Sequence, residues 1–527
     1  MPAIMTEQKS KVFVRDSTGL VKNVSFLDTI GLNISNMSIG GALGLIAYIF
    51  VAFPAGMTGV NLVYGSLIAF AVSIPQIIVY TKMTRALPRT GGDYVWVSRT
   101  FGGLFGSSIS FMGYTMETLA YLALIALAAV NAIGAVAVAE GNGNFLSLAL
   151  PTNIGGNSGY QFAIAAAIFA VLIAVNILKP KMGYRVVTIF SLIGVLCIVL
   201  AIGTLLSAGR TGVENYMSSL GNANLTYSAV ASSYTGSTFN FANTIFLLPF
   251  FAIFVYPWLN AAPAVASEIK GKSAIRWNVP ISAVIALVLV TSGFATLYYV
   301  GGYNFINGAL SNPTLVFNYT FNFWTLAMGV SSSPALAWII GIGWILWDIA
   351  ILAYGIIVIS RYLFAQSFDR FLPERMSYVS PRFRSPIIAH LIDLIITIAL
   401  IGLASYFYGG LSALLAGVVA AMIYFIFVGL AGAVYGVRKE KGGSRITLVV
   451  SGILMALVFM YITYQFFANP TIWGTATTSF GIPGYDFVYL YVLGSFVAGV
   501  VIYLASRRYH LKKGIDISLA YKEIPPE

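Results

Sequence analysis

The segment "NISNMSIGGALGL", Asn33–Leu45, sits in the middle of the first long apolar run of the chain. A lipid-crossing helix is ordinarily filled with strong helix formers, yet this stretch places Asn33, Ser35, Asn36, Ser38 and the Gly40–Gly41 pair at mid-span. Irregular backbone is tolerated at that depth only where protein buries it or where it lines a cavity. The sequence therefore predicts unwinding within residues 37–41. A second weak point, "VYPWLNAAP" (255–263), falls near the middle of a later apolar run, where Pro257 has no N–H to give and disrupts the preceding turn.

The rest of the chain supplies the setting. It has 527 residues, of which 58% are hydrophobic and only 9% charged, against roughly a quarter charged in soluble domains. Apolar runs near the ~20 residues needed to cross a bilayer recur along it. They lack the period-two alternation of a β-barrel. The fold class is an all-α integral membrane protein with twelve transmembrane helices, at about 26–51, 57–82, 104–133, 160–179, 185–208, 242–267, 279–301, 335–365, 386–407, 411–437, 446–468 and 485–507. Residues 1–24 form an N-terminal segment without a signal-peptide core, so the first run is retained as a helix. The net charge of +12 comes from short clusters between spans, which points to membrane topology and not to nucleic acid. With the N-terminus in the cytoplasm, the outer segments hold only Arg210, so both ends are expected to be cytoplasmic and the protein to sit in the cell membrane. Cys197 is the lone cysteine and there are two histidines, so neither a disulfide nor a His/Cys metal site is expected, and no cofactor is implied.

Helices 1 and 6 are oppositely oriented, five helices apart, and weak at equivalent places. That arrangement predicts an inverted repeat with a binding site between the two breaks. The amides of Ile39, Gly40, Gly41 and Ala42 would start the second half of helix 1, where unpaired N–H groups and partial positive charge suit a carboxylate. Carbonyls around Ser35 and Asn36, with those of Ile253, Phe254 and Val255, would take an ammonium or a cation, and Met37 and Ser38 complete the expected substrate-binding set. Tyr256 and Trp258 are candidate aromatic gates. Close packing of small residues and a plain proline kink are the competing structural readings.

Acidic groups inside the membrane are costly and default to function. Glu117 lies roughly 22 Å along helix 3 from Gly102, and Asp348 roughly 20 Å from Arg361 along helix 8, at about 1.5 Å per residue. Either could be the coupling group for H⁺ or Na⁺, or could simply pair with a neighbouring tyrosine, tryptophan or backbone group. Arg89, Asp93, Arg99, Glu268 and Asp369, in the segments between helices, are candidates for an inner gate of ion pairs; a solvated charged face is the alternative. His390 and Asp393 sit at local-pairing distance on helix 9, and Ser25–Asp28 reads as a helix start.

Three of those segments, "LPRTGGDYVWVSRTFGGLFG" (87–106), "ASEIKGKSAIRWNVP" (266–280) and "SRYLFAQSFDRFLPERMSYVSPRFRSP" (360–386), together resemble the amino acid–polyamine–organocation (APC) transporters. The resemblance implies a leucine-transporter-like fold: a first five-helix repeat at 25–208, a loop at 209–241, a second, inverted repeat at 242–437, helices 11 and 12 at 438–507 outside that core, and a tail at 508–527. It also implies alternating access to a central site. Some proton-coupled members carry a lysine in helix 5 where this chain has Gly194, and helix 6 carries "YPWLN" where many have a glycine-containing aromatic stretch. The expected function is secondary active transport of an amino acid, with polyamine, nucleobase or another small amine as the alternative cargo. A channel or an intramembrane enzyme fits less well. The partners expected are the lipid bilayer and a small-molecule substrate.

Overall fold

The computed structural model describes residues 20–150, 155–406, 411–470, 472–473 and 486–525. Most of the N-terminal segment, with Lys9, Lys11 and Arg15, and the residue that starts helix 12 at 485 lie outside that set, as does 407 at the end of helix 9. The protein is all-α. Among the described residues eleven helices are long and apolar enough to cross a membrane. Helix 6 is not one of them: it is a short apolar helix, Phe241–Phe254, then non-helical backbone, then a single turn, Ala261–Ala264.

Local chemistry explains where the boundaries moved. Helix 1 begins on a capping box, with the Ser25 side chain accepting from the Asp28 amide and Asp28 accepting from the Ser25 amide, as the sequence indicated. Helix 2 spans Leu62–Ala86, later than expected, because Asn61 accepts from the Tyr64 amide and caps it there. The charged segment between helices 2 and 3 is itself helical, Asp93–Gly102, and Gly102 at φ +80° separates it from helix 3 proper. Helix 3 then runs to Ala139 through two π-helical stretches, Gly103–Ser107 and Phe111–Met116. Each π-turn inserts a residue and re-aims the side chains beyond it, including Glu117. Helix 5 takes Pro180 at its first turn and is interrupted at Gly209, φ +59°.

Helices 1 and 8 (Pro334–Phe368) have 78% of their apolar window buried, helix 12 only 22%. With helices 10 and 3, at 72% and 67%, helices 1 and 8 form the centre. Helix 8 packs on helices 3 and 5, and the first half of helix 1 packs on helices 5 and 7 (Lys272–Gly301). Glycines make the closest crossings possible. A Cβ on Gly40 would stand 2.8 Å from Cγ of Trp347, and one on Gly194 would stand 2.3 Å from its ring. Gly194 is thus the space Trp347 occupies, which leaves no room there for a lysine without rearrangement. Cys197 packs against Gly343 of helix 8. His390 and Asp393 do not bond each other; Asp393 accepts from Thr397 at 2.9 Å, the next turn of the same helix. Helix 5 continues past Gly209 to Ser219, and the rest of the segments 209–241 and 302–334 folds mostly into short helices, among them Tyr227–Ser233 and Phe323–Gly329.

Candidate functional site: two broken helices joined by an asparagine hub

Helix 1 ends at Asn36 and resumes at Ile39, so its break is only Met37 (φ −78°, ψ 88°) and Ser38 (φ −60°, ψ 63°). The Ile39 amide folds back on the Met37 carbonyl at 2.5 Å and the Ala42 amide bonds Ser38 at 2.8 Å. That leaves the Gly40 and Gly41 amides at the head of a 14-residue half-helix with no hydrogen-bond partner among the described residues. Phe254, at the end of the first half of helix 6, lies 3.7 Å from where a Gly41 Cβ would be. The two breaks therefore face each other.

Helix 6 is unwound over residues 255–260. Its freed carbonyls are partly used within the chain: the Trp258 indole N–H donates to Ala252 (3.1 Å) and Ile253 (2.8 Å), and Pro257 accepts from Gln76 Nε2 at 2.8 Å. The two aromatics diverge. Tyr256 turns to helix 2, its hydroxyl 2.7 Å from Ser66 Oγ, whereas Trp258 stacks on Tyr121 of helix 3 at 5.3 Å.

Asparagines tie the breaks together. Asn36 Nδ2 donates to Asn260 Oδ1 at 2.8 Å, and Asn36 Oδ1 accepts from the Tyr354 hydroxyl of helix 8. One turn earlier, Asn33 Oδ1 accepts from the Ala262 amide at 2.9 Å while its Nδ2 donates to Asn278 of helix 7 at 3.2 Å. Around this hub several buried polar atoms have no hydrogen-bond partner among the described residues, among them Glu117 Oε1, the Tyr121 hydroxyl and Asn260 Nδ2. Tyr121 stands within electrostatic range of both Glu117 and Asp348, which connects the two acids to the hub. A small ligand with both donors and acceptors would satisfy this set, since buried polar groups otherwise remain costly. Facing the other end, the Trp324 indole N–H donates to the Gly40 carbonyl at 2.9 Å and covers the second half of helix 1.

The sequence pattern of the family described as Amino acid permease matches residues 24–496. The chain belongs to that family. It is an APC-type transporter. A relative in Sulfolobus islandicus rod-shaped virus 1, Uncharacterized protein 399, is 24% identical over 497 residues, covering 93% of this chain and 96% of its own.

In this permease the end of the bundle that carries residues 20–24 and 512–525 is closed beneath the hub. Val24 pairs with the backbone at Glu268 and Lys270 (3.0 and 2.9 Å), and the Gly91 amide bonds the Ala264 carbonyl at 2.9 Å. Gly92 makes that approach possible: at φ +43°, a Cβ there would meet Pro263 backbone at 2.9 Å. Of the five gate candidates, Arg99 and Asp369 form a bidentate pair, with Tyr94 donating to Asp369 at 2.8 Å. Glu268 pairs with Arg361, Nε to Oε1 2.8 Å and Nη2 to Oε2 2.9 Å. Arg89 and Arg99 also hold the C-terminal tail, through the carbonyls of Pro525 (2.8 Å) and Glu523 (3.1 Å). Asp93 has no cationic partner among the described residues. It accepts from the hydroxyls of Tyr80 (2.6 Å), Tyr424 (3.1 Å) and Tyr362. Asp93→Asn should lower thermal stability by about 1–3 kcal/mol, because an amide cannot accept all three buried hydroxyls. A melting curve unchanged from wild type would contradict that role.

Sequence reasoning does not single out Asn33, Tyr121, Asn260, Tyr354 or Arg361 as site residues. A signal exists for one of them: Tyr114, Glu117 and Tyr121 sit three and four apart, a polar stripe on an otherwise apolar helix. Arg361 reads in sequence as one more topology-setting cation, and only burial reveals otherwise.

Proposed function

We infer that this permease is a secondary active transporter that carries an amino acid across the cell membrane by alternating access, with both termini in the cytoplasm and two inverted five-helix repeats enclosing the site. The Asn36–Asn260 hydrogen bond carries the reading, because it joins the two breaks at one buried point. The substrate carboxylate would lie at the open amides of Gly40 and Gly41, within the set Ile39–Ala42. Its ammonium would lie toward the carbonyls of Ser35–Ser38 and of Phe254, whose neighbour Ile253 already serves Trp258. Trp258, with Tyr121, would form the aromatic wall; Arg99–Asp369 and Arg361–Glu268 would be the inner gate.

Asp348 or Glu117 would be the coupling group for H⁺ or Na⁺. Glu117 has an unpartnered buried oxygen, and Asp348 makes no hydrogen bond among the described residues. In proteoliposomes with imposed proton and sodium gradients, Asp348→Asn or Glu117→Gln should abolish gradient-driven uptake while exchange of preloaded substrate continues. Wild-type coupling in both variants sinks the assignment. A cationic amine such as a polyamine is the second reading, favoured by two buried acids beside the hub. Binding that persists with esterified or N-acylated amino acids would move the conclusion to it.

A further inference from the structure

Beside the inner closure lies a cavity of about 480 Å³ lined mostly by basic side chains and apolar groups. Lys179, Lys181 and Arg185, at the junction of helices 4 and 5, line one side, and Arg384, ahead of helix 9, lines the other. All four are exposed, and none has an ion-pair partner among the described residues. The one acid on the wall among the described residues, Glu268, is already neutralised by Arg361. Helix 5 also presents its N-terminus here, beginning at Pro180, and adds partial positive charge.

Arg384 is held at φ +53°, a left-handed backbone that an arginine adopts only at a cost. A small turn enforces it: the Arg384 amide bonds the Ser380 carbonyl at 2.7 Å, and the Ser380 amide bonds the Ser385 carbonyl at 3.0 Å. Ser385 is anchored in turn to the Asn176 carbonyl at 3.3 Å. Strain maintained by such bonds in order to place a side chain marks a site more often than a random surface.

We propose that this cavity binds the phosphodiester headgroup of an anionic lipid from the adjacent leaflet. The surface running on from the cavity indicates a lipid and not free phosphate. Arg185, Ile189, Leu192 and Leu196 succeed one another at helical spacing along one face of helix 5, and the three apolar members are 51%, 43% and 62% exposed. A headgroup held by Arg185 would lay an acyl chain along that track, with Met182 and Leu178 beside it. Tyr184 and Arg361 line the same cavity and belong to the Glu268 closure, so an occupied site supports the closed terminal end. The proposal does not depend on which cargo is carried.

The test is thermal melting of the detergent-purified full chain with phosphatidylglycerol, phosphatidylcholine or inorganic phosphate, for wild type and for the combined variant Lys181→Gln, Arg185→Gln, Arg384→Gln. Phosphatidylglycerol should raise the melting temperature of wild type, phosphatidylcholine and inorganic phosphate at the same concentration should not, and the variant should lose the response. Retained lipid in native mass spectrometry should fall about fivefold for each charge removed, the effect of one basic residue beside an anionic surface. The idea is overturned if the variant responds as wild type does. It is equally overturned if phosphatidylcholine or inorganic phosphate gives the full shift, since the site would then not select an anionic lipid.

Discussion

Arg361→Met should leave a protein that is poorly folded and retains under about a tenth of wild-type uptake. The guanidinium is nearly excluded from solvent, with 5% of its side chain exposed and 6% of that of Glu268. Its two parallel hydrogen bonds, at 2.8 and 2.9 Å, are what make the burial of Glu268 tolerable. Removing one partner strands a carboxylate whose remaining donor is the Tyr184 hydroxyl at 3.1 Å. Breaking such a pair costs about 3–5 kcal/mol, whereas replacing both partners by apolar groups is often close to neutral. Arg361→Met combined with Glu268→Leu should therefore recover much of the melting temperature. If Arg361 served only stability, the double variant would transport normally. If the pair opens and closes the terminal end, stability returns and uptake does not. Arg361→Lys should behave nearly as badly as Met, because an ammonium cannot reproduce the planar fork. A wild-type melting temperature for Arg361→Met would refute the argument.

Asn36→Ala is expected to carry the second largest effect, and a different one. Asn36 donates to Asn260 on helix 6 and accepts from Tyr354 on helix 8, so one side chain holds both breaks and the central helix in register. Alanine leaves the Tyr354 hydroxyl and Asn260 Oδ1 buried without partners, at about 1–3 kcal/mol each. Uptake should fall more than about tenfold, with substrate binding weakened in step. Adding Tyr354→Phe removes one orphan, so the double variant should be more stable than Asn36→Ala alone, and the cycle reports the coupling directly. Gly40→Ala is the useful contrast. Its new Cβ meets Trp347 at 2.8 Å, an overpacking cost of about 1–3 kcal/mol that touches no polar contact of the hub. Additive behaviour of Asn36→Ala and Tyr354→Phe would mean the hub is not a unit.

Much of the architecture is legible in the sequence, and for a simple reason. In lipid every backbone polar group must find a partner within its own segment, so apolar runs become helices and their weak points stand out. The breaks near 37 and 257 are readable on that ground, as is the burial of Glu117 and Asp348. The width of each break is not. Unwinding in helix 1 is confined to Met37–Ser38 because Ala42 and Ile39 find backbone partners at once. In helix 6 it spans 255–260, where the Trp258 indole and Gln76 take up carbonyls that the lost turn set free.

The partnerships are the part sequence could not provide. Asp93 and Glu268 look alike as acids in charged loops, yet one meets three tyrosines and the other an arginine from helix 8. Gly194 reads as a missing lysine, and the structure fills its space with Trp347, which also packs against the Cβ side of Gly40. Hydropathy and charge act along the chain and so are written in it: the all-α membrane class, the two weak helices and the intramembrane acids come from composition and order alone. Which buried group satisfies which depends on side chains meeting from helices hundreds of residues apart, as Asn36 meets Asn260 and Tyr354, and only the packed tertiary structure decides that.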